Sequence, residues 1–531
     1  MNTQLPFPSG RQPVLARNIV SCSQPLAAQA GIAAIARGGN AIDAALAAAI
    51  TLTVVEPTMN GIGGDGFAII WDGQTLHGLN ACGRAPMAWT PEQFRDLPGM
   101  PDRGWDSVTV PGAVSQWVAL SGKFGNLPFE DLFVDAIRHA REGFPVSPVI
   151  ARQWRDAVAE LKDFPGFSAF MPNGRAPEAG EIWRFADQAD TLEEIARTKG
   201  ETFYRGRIAR AIAAFAEEHG GAMTEADLAA HQADWVDTIS VRFEDHDVHE
   251  IPPNGQGIAT LLALNIISHL PYKQTRPGSA ERMHLEIEAM RVAFADLYAH
   301  IADPAHMRVS AEALLEPAYA KERARLIDPM RAGTYAPGAP PSGGTVYLCA
   351  ADAQGRMISL IQSNYKGFGS GLVVPGTGIA LHNRGFGFVN TPGHPNQVAG
   401  GKRPMHSIIP AFMTRDGKPV MAFGVMGGNM QAQGHLQMVL RRTVEGLNPQ
   451  ACSDAPRWRI NDAAVLTLEH AVSKEVVEGL IAMGHVPRVA APDSLDFGSA
   501  QLIQRLAQEA SGLCSYIAGS DHRRDGQAIG R

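Results

Sequence analysis

From Leu26 to about Thr53 the chain is densely apolar and Ala-rich, and Gly38-Gly39-Asn40 interrupts it. That pattern predicts two helices with a break between them. The second stretch, Ala41 to Val55, is the most apolar of the chain. It is short and carries Asp43, so it reads as a buried helix rather than a membrane span. VVEPTMNGIGGDGFAIIW follows, a Gly-rich turn running into a strand. Residues 109 to 235 have mostly helical periodicity, in AVSQWVALSGKF, FEDLFVDAIRHAREGF and TLEEIARTKGETFYRGRIARAIAAFAEEHGG. A further helical block spans Gly257 to Arg325 and contains ERMHLEIEAMRVAFADLYAHIAD.

At Tyr335 the pattern changes. TYAPGAPPSGG cannot hold a regular element, and is expected to be a mobile exposed loop. The apolar runs beyond it, GTVYLCAAD and RMISLIQS, flank the turn residues Asp352-Ala353-Gln354-Gly355 and predict a hairpin. A turn centred between Ala353 and Gln354 sets Thr345 opposite about Gln362. Ser363 then lies within a residue of facing Thr345, and a bulge would shift that register.

Composition narrows the class. A length of 531 residues suggests roughly two to four domains. With 45% hydrophobic and 19% charged residues the chain resembles an ordinary soluble globular protein. A formal charge of −8 argues against a nucleic-acid surface, so Arg441-Arg442 and Arg523-Arg524 read as solvated pairs. Five cysteines without a CxxC pair point to a reducing compartment, with neither a disulfide framework nor a zinc site. The N-terminal residues lack the pattern of a secretory signal, and a cytoplasmic location is the expectation. GIGGDG lacks the strand–helix context of a dinucleotide loop, and GGKRP lacks P-loop spacing. The histidines form no HExxH, so neither a metal nor another cofactor is expected.

The Gly344-Thr345 junction, at the end of a loop and the start of a strand, suggests an N-terminal nucleophile. The Thr345 hydroxyl would attack the Gly344 carbonyl, and hydrolysis of the resulting ester would free the Thr345 amine. That amine, with a reference pKa near ~8, can act as general base for its own side chain. Taken alone, a Thr after two glycines usually just starts a strand.

Longer motifs decide between these readings. GGNAIDAALAAAITLTVVEPTMNGIGGDGFAI resembles the N-terminal signature of the γ-glutamyltranspeptidase family of N-terminal-nucleophile (Ntn) hydrolases. Gly344 to Phe388 resembles its nucleophile region, and KRPMHSIIPAFM and GVMGGNMQAQGHLQMVLRR resemble its C-terminal signatures. The resemblance implies an α+β fold, a four-layer αββα sandwich built jointly by residues 1–344 and 345–531 as one structural domain. It places Thr345 as nucleophile, Ser363 as the hydroxyl that supports it, and Gly427 and Gly428 as the oxyanion hole. Gln431, Gln433 and His435, which follow those glycines, read as polar scaffolding.

Departures from the family pattern bear on substrate. The family holds a glutamyl amino group with Asn, Gln and Asp, and those positions here carry Tyr365, Arg384 and Gly387. An ammonium left unpaired beside a guanidinium loses roughly 2–5 kcal/mol of binding. Cys82 replaces the carboxylate-binding arginine, although Arg84 is expected to reach the same pocket from a shifted position. His406 and Ser407 replace paired serines, and the Pro392 to Gly401 loop is too short for the lid seen in some members. The set Arg84, Tyr365, Arg384, His406 and Ser407 suits a small anionic acyl group. It resembles the oxamate amidohydrolase-like branch. The expectation is therefore a cofactor-free amidohydrolase that acts on a small-molecule amide, with oxamate leading. It would be a heterodimer of its own fragments, with further homo-oligomerisation left open and no membrane partner. A γ-glutamyl transferase or glutathione hydrolase is the first alternative, and an unprocessed non-catalytic homologue the second.

Overall fold

The computed structural model describes residues 10–335, 344–461, 464–506 and 508–531. Residues 336–343, most of the loop expected before Thr345, lie outside that set.

Both helices expected at the N-terminal end are present, Pro25–Ala36 and Ala41–Val55. A left-handed Gly38 (φ +98°) ends the first, and a capping box opens the second. The Asn40 side chain accepts from the amides of Ile42 and Asp43, and the Asp43 carboxylate accepts from the Asn40 amide in return. Every residue of Ala41–Val55 is buried, which is why the run is apolar all round. The helical segments Ala113–Phe124, Gly257–Ile267 and Ala280–His300 also fall where periodicity places them.

Among the described residues the main strands form two seven-stranded sheets. One runs in the order Gln527–Gly530, Ile19–Cys22, Gly344–Ala351, Met357–Tyr365, Asp65–Trp71, Leu76–Asn80 and Asp234–Val236. The other runs Val14–Ala16, Tyr516–Ser520, Ser499–Arg505, Lys418–Met426, Ala411–Arg415, His246–Glu250 and Ile239–Phe243. All pairings within them are antiparallel. Alternation along each strand sorts side chains between two cores. Tyr347, Cys349, Phe67 and Ile361 of the first sheet meet Phe412, Ala422, Met426 and Ile503 of the second. Val346, Leu348 and Ala350 face the other way, onto the N-terminal helices. Phe423, Val425 and Met413 back onto Gly257–Ile267, Ala280–His300 and Met430–Thr443. The order is therefore helix, sheet, sheet, helix, the four layers that the family resemblance implies.

Each sheet draws strands from both sides of the Gly344-Thr345 bond. The hairpin register runs one residue beyond the expected one. Val346, rather than Thr345, pairs with Gln362, and the ladder slips between Gly344 and Val346. Gly344 pairs with Tyr365, so Ser363 and Asn364 together oppose Thr345.

Replacing Asn40 by Ala removes the cap of a wholly buried helix. It is expected to lower unfolding free energy by about 0.5–2 kcal/mol, read as an earlier urea midpoint at unchanged m-value.

Candidate active site

The bulge delivers Thr345 to the edge of the layer between the sheets, where it is fully buried. Its Oγ1 donates to Ser363 Oγ at 3.2 Å, the meeting of hydroxyls that the hairpin argument anticipates. Ser363 Oγ also accepts from the Tyr365 amide at 2.8 Å. A third group completes the arrangement, because Gln431 Nε2 donates to Thr345 Oγ1 at 3.1 Å. Tyr365 adopts φ +77°, a left-handed backbone unusual for an aromatic residue. Its ring lies 4.4 Å from the Arg384 guanidinium carbon, a cation–π contact that orients the arginine.

Gly427 and Gly428 join the strand Lys418–Met426 to the helix Met430–Thr443, with φ of +121° and +63°. Both values exclude most side chains. The Gly427 carbonyl accepts from the Met430 amide at 3.1 Å. In a trans peptide plane the N–H of Gly428 must then point the opposite way, out of the helix start, where the helix dipole favours an anion. Gln256 Nε2 fixes the next peptide by donating to the Gly428 carbonyl at 2.8 Å, and it also donates to the Ser407 carbonyl. The Gly428 N–H thus has an orientation suited to meeting an anion.

Arg384 is buried next to Ser407, whose carbonyl shares the Gln256 donor with that of Gly428. Its Nη1 donates to Ser407 Oγ at 2.8 Å, while Nε and Nη2 have no hydrogen-bond partner among the described residues. Burial lowers its pKa to about 10, and the nearby Asp65 carboxylate opposes that fall. Asp65 itself opens the strand beside Ser363, with which it pairs across the ladder. Its Oδ1 accepts from the amides of Gly83 and Gly112, at 3.3 and 2.9 Å, and its Oδ2 faces His406 Nε2 at 3.1 Å. Burial alone would raise the Asp65 carboxyl, yet His382, His406 and Arg384 together hold it below the usual carboxylate range. His406 is held neutral, near pKa 3, by burial and by Arg384.

The structure sorts the expected substrate contacts. Tyr365, Arg384 and Ser407 converge. His406 does not offer a free nitrogen, since Nε2 is spent on Asp65 and Nδ1 accepts from the Ile408 amide at 3.3 Å. Arg84 is not brought to this group. Its half-exposed guanidinium pairs with Asp303 at 3.2 Å and with the Gly401 carbonyl at 3.1 Å. The buried Asp303 carboxylate captures it, and leaves the Cys82 position to a thiol whose pKa burial pushes up. A side chain at 387 would meet the Met405 carbonyl at 2.5 Å, so the position of the missing acid is closed by backbone. The Pro392 to Gly401 loop packs down, with Gly400 and Gly401 donating to the carbonyls of Trp89 and Ala85.

Two residues that the sequence reading did not assign to the site, Asp65 and Gln431, prove central to it. Asp65 stood in GIGGDG, on a strand that the hairpin adjoins, and that adjacency was the available signal. Two groups of potential metal donors occur among the described residues, Asp65–Cys82–His406 and His284–Glu288–His485. Hydrogen bonds account for both: His406 meets Asp65, and His284 Nδ1 meets His485 Nε2 at 2.7 Å. The five cysteines are free and buried, and no helix among the described residues is long and apolar enough to cross a membrane.

Comparison with known proteins gives concordant results. The sequence model of the gamma-glutamyltranspeptidase family matches residues 27–531. The oxamate amidohydrolase proenzyme of Klebsiella pneumoniae is 34% identical over 521 residues, covering 95% of this chain and 97% of its own. The glutathione hydrolase-like YwrD proenzyme of Bacillus subtilis is 33% identical over 515 residues, with the same two coverages. Among solved structures, the cephalosporin acylase from Bacillus halodurans superposes with a TM-score of 0.95 at 45% identity. That match covers 100% of this chain and 99% of the acylase.

Exchange of Asp65 for Asn should cost about 3–5 kcal/mol at neutral pH, since it strips a buried arginine of its counter-charge. The folded-state pKa of Asp65 lies below the unfolded value near ~3.9. Its contribution is therefore full above that value and is lost as pH falls toward the folded pKa. Urea midpoints of the two proteins should accordingly converge in acid and separate toward neutrality.

Proposed function

Since this chain belongs to the γ-glutamyltranspeptidase family, we propose that it is an autoprocessing Ntn amidohydrolase whose nucleophile is Thr345. Its substrate is an amide with a carboxylate-bearing acyl group. The observation that carries the substrate class is the buried Arg384, beside Ser407, with two guanidinium nitrogens unpaired among the described residues, and with backbone crowding position 387. A carboxylate satisfies such a guanidinium bidentately, whereas an ammonium is repelled by it. Oxamate, the smallest amide of this kind, leads. The acylase among the structural relatives supports testing other acyl groups beside it.

In maturation, Thr345 Oγ attacks the Gly344 carbonyl carbon and the Gly344–Thr345 C–N bond breaks, leaving an ester. Water hydrolyses the ester to a Gly344 carboxylate, the free Thr345 hydroxyl and a free amine. In turnover, the amine takes the hydroxyl proton as Oγ bonds to the substrate carbonyl. The oxygen gains negative charge facing the Gly427 and Gly428 amides. Collapse expels the leaving amine, which receives that proton. Water then attacks the acyl-enzyme by the reverse sequence and releases the acid. Ser363 holds the hydroxyl in line throughout. The two fragments stay together as a heterodimer, because both sheets contain strands of each.

Maturation should yield chains 1–344 and 345–531, about 37 and about 20 kDa in proportion to length within 56.8 kDa. Edman sequencing of the smaller should begin Thr-Val-Tyr-Leu. Thr345→Ala should stay a single, inactive chain, and a fully active preparation of one intact chain would overturn the assignment.

Glutaryl and γ-glutamyl anilides differ only in the amino group. The ratio of kcat/KM should favour glutaryl by at least about tenfold, equivalent to ~1.4 kcal/mol, and Arg384→Ala should erase most of that preference. A clear preference for the γ-glutamyl compound would favour the transferase alternative. Hydrolysis of oxamate alone would keep the charge argument and indicate a smaller pocket.

A further inference from the structure

Three glutamines lie along the helix Met430–Thr443, and two of them serve the backbone. Gln433 Nε2 donates to the carbonyls of Asn429 and Ile460, while its Oε1 accepts from the Ile460 amide. Gln437 Nε2 donates to the carbonyls of Gln433 and Trp458. Gln431 differs. Its Oε1 accepts from the Ile409 amide at 3.0 Å, and its Nε2 donates to a reacting atom, Thr345 Oγ1. The amide cannot be flipped to reverse these roles. Ile409 N–H can only donate, so the carboxamide must offer it oxygen, and the NH2 end must face the threonine. Gln431 is fully buried, in the first turn after the oxyanion glycines, and its own amide donates to the Gly428 carbonyl at 3.2 Å. One short segment therefore carries both the oxyanion amides and the donor to the nucleophile.

We propose that Gln431 is a further catalytic group, whose Nε2–H stabilises Thr345 Oγ when that oxygen gains negative charge. This rests on the reading of Thr345 as nucleophile. The oxygen gains charge twice per cycle: when it loses its proton in forming the bond to the acyl carbon, and when it leaves that carbon as water completes deacylation. A hydrogen bond to developing charge is stronger than one to a neutral hydroxyl, so the donor lowers both barriers. The same atom attacks Gly344 in the precursor, and the effect extends to self-cleavage.

Gln431→Glu tests the donor while keeping the shape and the acceptor for Ile409. Its carboxyl can donate to Oγ only while protonated. Relative to wild type, precursor cleavage and kcat on glutaryl anilide or oxamate should fall at least about tenfold once that carboxyl ionises. They should recover as pH is lowered, with KM unchanged. Gln431→Met, of similar size and without a donor, should be slow at every pH. Thermal melting confirms that each variant is folded. Wild-type rates in Gln431→Glu throughout the pH range would overturn the proposal, as would a pH-independent loss equal to that of Gln431→Met. If Gln431→Glu does not fold, Gln431→Met decides, and wild-type cleavage and kcat in it overturn the proposal. A wild-type protein that cleaves itself but hydrolyses neither amide overturns only the substrate reading, because cleavage rates still report on Gln431. A wild-type protein that never cleaves overturns the nucleophile assignment and this proposal together.

Discussion

Asp65 is a fully buried carboxylate whose two oxygens hold four partners: the Gly83 and Gly112 amides by Oδ1, His406 by Oδ2, and Arg384 through the field. These partners come from separate stretches of chain, none adjacent to Thr345 in sequence. A charge in that position must be satisfied from all sides, because an unmet lone pair in a low-dielectric interior costs more than most packing defects. The carboxylate therefore ties the walls of the site to the strand that pairs with the hairpin carrying Thr345. It also makes Arg384 tolerable. With His406 kept neutral, the guanidinium faces the Asp65 charge and has two nitrogens without a hydrogen-bond partner among the described residues.

The same constraint explains what could be read from the chain beforehand. Local chemistry was legible. Gly38-Gly39-Asn40 announces a break between two helices and the apolar runs announce the hairpin, whereas the glycine pair at 427 and 428 reads by itself only as a turn. Thr345 and Ser363 were reachable because hairpin geometry relates them, although the bulge moved the register by a residue. Asp65 and Gln431 were less accessible. Each acts across the gap between the two sheets, where contact depends on sheet packing that periodicity does not encode. Arg84 shows the converse error. Its place in the sequence suggested the pocket, but Asp303, more than two hundred residues away, binds its side chain first.

The location of the Gly344-Thr345 bond matters as well. The strand that begins there is interior to its sheet, paired on both sides, and its outward side chains Val346 and Leu348 lie in the N-terminal core. Cutting the chain at its first residue removes no ladder pairing beyond that residue. A terminus created there would follow directly on the Val346–Gln362 pairing, with the second neighbouring strand joining from Leu348. An α-amine serving as base needs such rigidity, since small misplacements of a reacting group are costly in rate.

Closure of position 387 also bears on evolvability. Asn396 binds the Gly387 carbonyl through Nδ2 at 2.7 Å and the Met405 amide through Oδ1 at 2.9 Å, so one side chain clamps the two segments that crowd there. An aspartate introduced at 387 would collide with backbone, not with a side chain able to turn aside. A lineage moving between acceptance of a plain anion and acceptance of an amino acid could not cross by that single exchange. It would have to loosen the Asn396 clamp as well, so an acid at 387 demands a paired change in the backbone behind it.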